Sequence, residues 1–142
     1  MSTMGDELIA NVAAEQFNRF SRAQAYQSGL TDKAISHRLA TGRWVLVEHG
    51  VFAIAPVLEH DRCGLWMTAT LTHEGSWLSR LSSSVAYEGL SFEGPHVTVT
   101  RPGSGGPQLH GHVLVHRSQM LEGDVTTFKG IPITTPARTL AD

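Results

Sequence analysis

Residues 20–54 read FSRAQAYQSGLTDKAISHRLATGRWVLVEHGVFAI. Ser21, followed three residues on by Gln24, is a capping box, so a helix opens at Arg22. It runs to about Gln27 and stops at Gly29, a residue free to take the left-handed conformation that closes helices. Leu30 turns inward. Thr31 is the next N-cap, with Asp32 in a first turn where the helix dipole favours an acid. Ala34, Ile35 and Leu39 then form the buried stripe of a second helix, which Gly42 ends. RWVLVEHGVFAIA follows with no linker. It is dominated by β-branched and aromatic residues and carries His49-Gly50 where a tight two-residue turn belongs, so it reads as a hairpin over about 43–48 and 51–55. Two short helices around a turn, then a hairpin wing, is the order of a winged helix-turn-helix, an arrangement that usually reads DNA.

Working outward, Asp6 to Phe17 reads as a preceding helix. Leu8, Val12 and Gln16 lie on one stripe and Ile9, Ala13 and Phe17 on its neighbour. Beyond Pro56 the pattern changes. Asp61 caps an expected helix over 62–73 and Ser79 another over 80–88, stopped by Gly75 and Gly89. From His96 the period becomes two, giving strands over 96–100 and 109–116 around the breaker-rich loop RPGSGGP, and shorter strands over 124–129 and 131–134. Thr135-Pro136 starts a last helix, with Thr as N-cap and Pro at N1. A helix of so few residues at the end of the chain is marginal. That reads either as the front of a longer protein or as a shortened family member. The expected fold class is therefore α+β: a winged helix-turn-helix over 1–55 and a small α+β domain over 56–142, the latter short of complete.

Composition narrows the function classes. The chain has 142 residues, 41% hydrophobic and 17% charged, enough to bury a core. No apolar run is long enough to cross a membrane, and the acidic N-terminus lacks a basic leader. Cys63 stands alone, which excludes an intramolecular disulfide and fits a reducing cytoplasm. The formal net charge is −2. Residues 19–43 nevertheless hold Arg19, Arg22, Lys33, Arg38 and Arg43 against Asp32, a local balance of +4. Phosphate contact requires such local charge, although bulk electrostatic attraction does not suffice here.

The candidate DNA contacts follow from position. Ser36 and His37 face away from the buried stripe, where base edges would lie. Lys33 and Arg38 are placed for phosphate or guanine. Thr31 and Arg22 open the two helices, where backbone phosphates pass. Arg43 heads the wing and reads equally as a backbone contact or a solvated strand residue; His49 at its tip reads first as a plain turn residue, with entry into a minor groove as the alternative. The same unit as a protein-docking module is the competing reading. Eight histidines raise the question of metal, and His110, His112 and His116 share strand parity. No Cys-x-x-Cys or His-Glu-x-x-His accompanies them, and Gly111 implies a turn or bulge, so solvent-facing histidines and no metal are expected. Cys63 on an apolar helix reads as a buried, inert thiol. Ser82-Ser83-Ser84 lacks a nucleophile frame and reads as helix surface and close-packing small residues. RPGSGGP lacks the Lys-Ser/Thr of a phosphate loop. No catalytic residue and no cofactor is expected.

Three segments together resemble one family. RAQAYQSGLTDKAISHRLATGRWVLVEHGVFAI resembles the N-terminal winged helix of AbiEi-type antitoxins of type IV toxin–antitoxin systems. WLSRLSSSVAYEGL is similar to that family's Leu-Ser-x-x-Ser-Ala-Ala helix. VHRSQMLEGDVTTFKGIPITTPARTLAD is similar to its Val-His-Arg strand and Gly-Ile-Pro-x-Thr-x-x-x-Arg-Thr-Leu-x-Asp motif, the most specific of the three. The chain departs from the pattern at Arg80-Leu81, where relatives more often carry His-Arg. Many relatives also carry a C-terminal nuclease-like domain to which nothing here corresponds, so a regulatory fragment of a longer nuclease-like protein is a third reading. The resemblance implies a regulator that binds double-stranded DNA and represses its own operon; the expected mechanism is steric, by a homodimer on an inverted repeat at its own promoter in the cytoplasm. It further implies an antitoxin acting against a toxin of the same operon.

Overall fold

The computed structural model describes residues 4–57, 61–89 and 94–142. The chain is mixed α+β and forms two compact units, Met1–Thr72 and His73–Asp142. Leu90, which closes the WLSRLSSSVAYEGL stretch, lies outside the described residues.

In the first unit α1 (Met4–Ala14) buries Ile9 and Ala13, as its period dictates. The sequence pattern carries this helix on to Phe17. It ends sooner because Phe17 and Asn18 take left-handed backbone (φ 56° and 63°) and the Asn18 amide returns to the Ala13 carbonyl. That kink frees Arg19–Ser21 to form β1, which periodicity gave no reason to expect. Next come α2 (Arg22–Gln27) and α3 (Asp32–Ala40), with the boundaries the caps imply. Both halves of the capping box form: the Gln24 amide donates to Ser21 Oγ at 3.1 Å and the Ser21 amide to Gln24 Oε1 at 2.9 Å. Gly29 takes φ 88°, and Leu30 drops into the core.

The hairpin consists of β2 (Trp44–Glu48) and β3 (Val51–Ile54), and β1 adds to it in the antiparallel order β1-β3-β2. His49-Gly50 is the turn, with Gly50 at φ 75° while His49 keeps a negative φ. The turn is thus not the type I′ form, which needs positive φ at both positions. A register shift between Leu46 and Glu48 accompanies it. Phe20, Trp44 and Phe52 fill the centre. Phe20 meets Trp44 edge-on at 4.7 Å and Phe52 at 5.8 Å, among Ile9, Ala13, Ala25 and Ile35.

Helix α4 (Arg62–Thr72) packs on β1, β2 and β3 and so belongs to this unit, whereas a division at 55/56 assigns it to the next. Arg19 is the reason. Buried beside α4, it donates through Nη1 to the Phe17 carbonyl at 2.7 Å and to Asp61 Oδ2 at 3.0 Å. Gly64 leaves it room, because a Cβ there would lie 2.3 Å from the guanidinium. Asp61 also caps α4, accepting from the Gly64 amide at 3.1 Å. Among the described residues no helix is long and apolar enough to cross a membrane.

The second unit is a six-stranded mixed sheet in the order β6-β7-β5-β4-β9-β8. Its strands are β4 (Trp77–Leu78), β5 (Val97–Pro102), β6 (Gln108–His110), β7 (Val113–Ser118), β8 (Val125–Phe128) and β9 (Ile131–Thr134), joined by α5 (Arg80–Glu88) and followed by α6 (Pro136–Ala141). The stretch 109–116, read as one strand, is two. Gly111 takes φ 60° and turns β6 antiparallel onto β7. Across the sheet, Val115, Val99, Leu78 and Ile133 stand side by side in one buried row. The opposite face meets α5 and α6 through hydroxyls. Ser79 Oγ accepts from Thr100 at 2.8 Å, Ser82 Oγ from the Thr98 amide at 2.9 Å, and Ser83 Oγ lies 3.0 Å from Thr139 Oγ1. Ser82 and Ser83 are therefore fully buried and bonded, not helix surface. Ser79 spends its hydroxyl on Thr100 and makes no side-chain cap to α5.

Candidate nucleic-acid interface

Helix α3 is amphipathic in the direction its sequence implies. Ile35 is buried, Ala34 and Leu39 half-buried, and Lys33, Ser36, His37 and Ala40 face solvent. Its N-cap, Thr31, is exposed. The hydroxyl accepts from the Ala34 amide at 3.1 Å, so its acceptor capacity is partly used while its proton stays available.

Arg38 departs from expectation. It is only 7% exposed and forms a two-pronged pair with the buried carboxylate of Asp6: Nε to Oδ1 at 2.6 Å and Nη2 to Oδ2 at 2.8 Å. Its Nη1 donates to the Ala34 carbonyl at 2.9 Å, and the guanidinium lies 5.6 Å from the Trp44 ring centre. The Asp6 hydrogen bond holds its pKa above the ordinary value. Arg38 cannot reach phosphate or guanine without abandoning this site. Its work is to pin α3 to α1. The sequence hid this because a residue on the edge of the apolar stripe can turn either way, and the partner that decides lies 32 positions upstream.

Arg43, at the head of the hairpin, is 45% exposed, with Nη2 3.7 Å from Asp6 Oδ2, too long for a hydrogen bond. The Asp6 charge draws it inward, while nearly half of the side chain stays open to solvent. Arg22 opens α2. Its backbone amide donates to the Gly50 carbonyl at 2.9 Å, which ties the hairpin turn to the helix start. Its guanidinium lies 5.1 Å from the Phe52 ring centre, and Nη1 reaches Asp32 Oδ1 at 3.1 Å. Tyr26, through a side-chain hydrogen bond, and then Asp32 hold the Arg22 pKa above its ordinary value. The Tyr26 hydroxyl donates to the same oxygen of Asp32. His49 is exposed at the turn, with its amide donating to Glu48 Oε1 at 3.0 Å.

The leading ends of α2 and α3 and the hairpin turn therefore converge through Arg22. The other end of α3 is fixed to α1 and to the base of the hairpin through Arg38, Asp6 and Arg43. Of the five cations in 19–43, Arg19 and Arg38 are buried in ion pairs, which leaves Arg22, Lys33 and Arg43 toward solvent. Asp32 and Glu48 are exposed beside them. The surface can offer positioned donors from Lys33, His37, Ser36, Arg22 and Arg43, but only a weak field. Asp32 is the polar group at this surface that sequence reading passed over. An acid in the first turn of a helix has a sufficient local explanation and draws no further attention.

In the second unit, His110 ends β6, His112 sits in the turn and His116 lies on β7. The His110 ring is 5.3 Å from that of His73. Among the described residues no three His, Cys, Asp or Glu side chains are grouped to hold a metal ion. Cys63 is half-buried rather than fully enclosed. The His116 pKa is pushed down by burial and by Arg80, against a smaller upward pull from Asp142. Compared with known proteins, the chain matches no family model and no curated protein sequence.

Proposed function

We propose that the first unit is a winged helix-turn-helix and that the protein is a DNA-binding transcriptional regulator. In this reading α3 enters the major groove, Ser36 and His37 meet base edges, Lys33 and Arg22 meet phosphate, and the wing carries Arg43 and His49 to the flanking backbone or minor groove. The observation that carries the reading is the split character of α3. One face is locked to α1 by a buried ion pair, while the other presents Lys33, Ser36 and His37 to solvent. The helix is thus fixed in place and polar on its open side, as groove reading needs. Repression is steric, by a homodimer on an inverted repeat at its own promoter. The resemblance to AbiEi-type antitoxins adds an antitoxin role for the second unit, against a toxin of the same operon. No catalysis is assigned to the chain.

Fluorescence anisotropy with duplex DNA from the upstream region, over a salt series, tests this. Saturable binding that weakens with salt is expected, and Lys33→Ala reduces the salt slope by about one unit. Absence of binding at low salt, or metal-dependent cleavage of the duplex, overturns the proposal. One observation favours a second reading, protein docking: Val45 and Leu46 of the wing are exposed, and Leu46 is 57% so. Co-purification of an adjacent gene product that Leu46→Ser abolishes supports that alternative.

A further inference from the structure

Resting on the DNA reading above, we propose that Asp32 reads a cytosine at the leading end of α3, its Oδ2 accepting a hydrogen bond from the exocyclic amino group. Asp32 is the first residue of α3, and its side chain is 74% exposed. In a helix-turn-helix, the N-terminal residues of the second helix are the ones that meet base edges. The carboxylate is held in place. Arg22 Nη1 and the Tyr26 hydroxyl both donate to Oδ1, and no described residue donates to Oδ2. Arg22 is itself packed against the Phe52 ring, and Tyr26 stands on α2 with its side chain half open to solvent. One oxygen is therefore engaged by two donors, and the other, on a side chain 74% exposed, is an unused acceptor. An exposed aspartate free to rotate gives up rotamer entropy when it makes a contact; this one is already ordered.

The chemistry selects the base. An ionised carboxylate only accepts hydrogen bonds. In the major groove guanine presents two acceptors and thymine an acceptor and a methyl group. Adenine sets its amino donor beside N7, which repels an anion. Cytosine presents its amino donor with no acceptor of its own beside it. The carboxylate also blunts the attraction of Arg22 and Lys33 for phosphate, so a duplex lacking cytosine at this position meets a repulsive group instead of a neutral one.

The experiment is selection of duplexes from a randomised library by the full chain at one salt concentration. Competition binding of the selected duplex and its single-base variants then follows, for wild type and Asp32→Asn. Wild type is expected to enrich a cytosine in each half-site and to lose about tenfold in affinity when that cytosine becomes thymine. Asp32→Asn is expected to lose less than twofold for the same change, with preferences elsewhere intact. If wild type selects a sequence and Asp32→Asn keeps every preference, the cytosine assignment is wrong and the DNA reading stands. Equal tightening of Asp32→Asn on all duplexes also overturns it, and leaves Asp32 as a charge shield only. If wild type selects no sequence and binds no duplex, the DNA reading itself fails and takes the assignment with it.

Discussion

The centre of the first unit and the helix–sheet seam of the second are equally dry and are made of opposite materials. Around Phe20, contacts are aromatic and aliphatic, with edge-to-face rings, and the guanidinium groups of Arg22 and Arg38 lie over the rings of Phe52 and Trp44. Around Ser83, the buried atoms are hydroxyls: Ser83, Thr134 and Thr139 form one connected group, and the Tyr87 hydroxyl donates to the Thr134 carbonyl at 2.6 Å. A hydrocarbon core is tolerant of direction and demanding of volume. A hydroxyl seam is small in volume and demanding of direction, since each group left unmatched carries a desolvation cost. The first arrangement holds elements together by transfer from water. The second lets helices lie close to a sheet and sets their position by bonding.

The largest effect comes from cutting volume out of the first unit. Phe20→Ala is expected to cost about 3–5 kcal/mol, read from urea unfolding followed by tryptophan fluorescence, because a fully buried ring leaves a cavity. A loss below about 1 kcal/mol shows that the aromatic cluster is not what holds the unit. Arg38→Ala comes next, at about 3 kcal/mol, because it removes the two-pronged partner of the buried Asp6 carboxylate. This variant separates a positioning role from a contact role: stability falls, and the salt slope of any DNA binding stays near that of wild type. In the second unit Ser83→Ala is expected to cost only about 1–2 kcal/mol while removing little volume. A cost near zero means that the hydroxyl group has no directional role.

The smallest effect concerns pH. Burial and Arg80 lower the His116 pKa in the folded state, so between that value and the unfolded value of 6.5 the unfolded chain holds more protons. Stability from this group is complete above pH 6.5 and is lost as pH falls toward the folded pKa. His116→Asn is expected to flatten that part of the pH–stability profile, measured by thermal melts; an unchanged slope places the dependence elsewhere.

The same contrast explains what could be read in advance. The starts of helices α2 and α3 were legible, because Ser21, Gln24, Gly29 and Thr31 act within a turn of their own position. Thr135 and Pro136 likewise start α6, with the Arg138 amide donating to Thr135 Oγ1 at 3.2 Å. Strand β1 was not legible, since three residues carry no period and its pairing partner is β3. Strand β4 is shorter still, at two residues. The serines of α5 looked like surface because a hydroxyl's burial depends on partners that lie in other strands. At the candidate site, the outward face of α3 followed from periodicity. The loss of Arg38 to Asp6 and the clamping of Asp32 by Arg22 and Tyr26 did not, because both depend on distances across the chain.

Asp6 and Arg38 also carry a historical constraint. Each is a liability without the other, since removing either breaks a two-pronged pair in a buried site. A lineage that changes one position passes through an unstable ancestor unless the second change follows closely. The two positions are therefore expected to vary together among kindred sequences, as an acid–arginine pair or as two apolar residues and seldom as a mixture. Arg43, close enough to Asp6 to lend partial compensation, is the residue best placed to make such a crossing survivable.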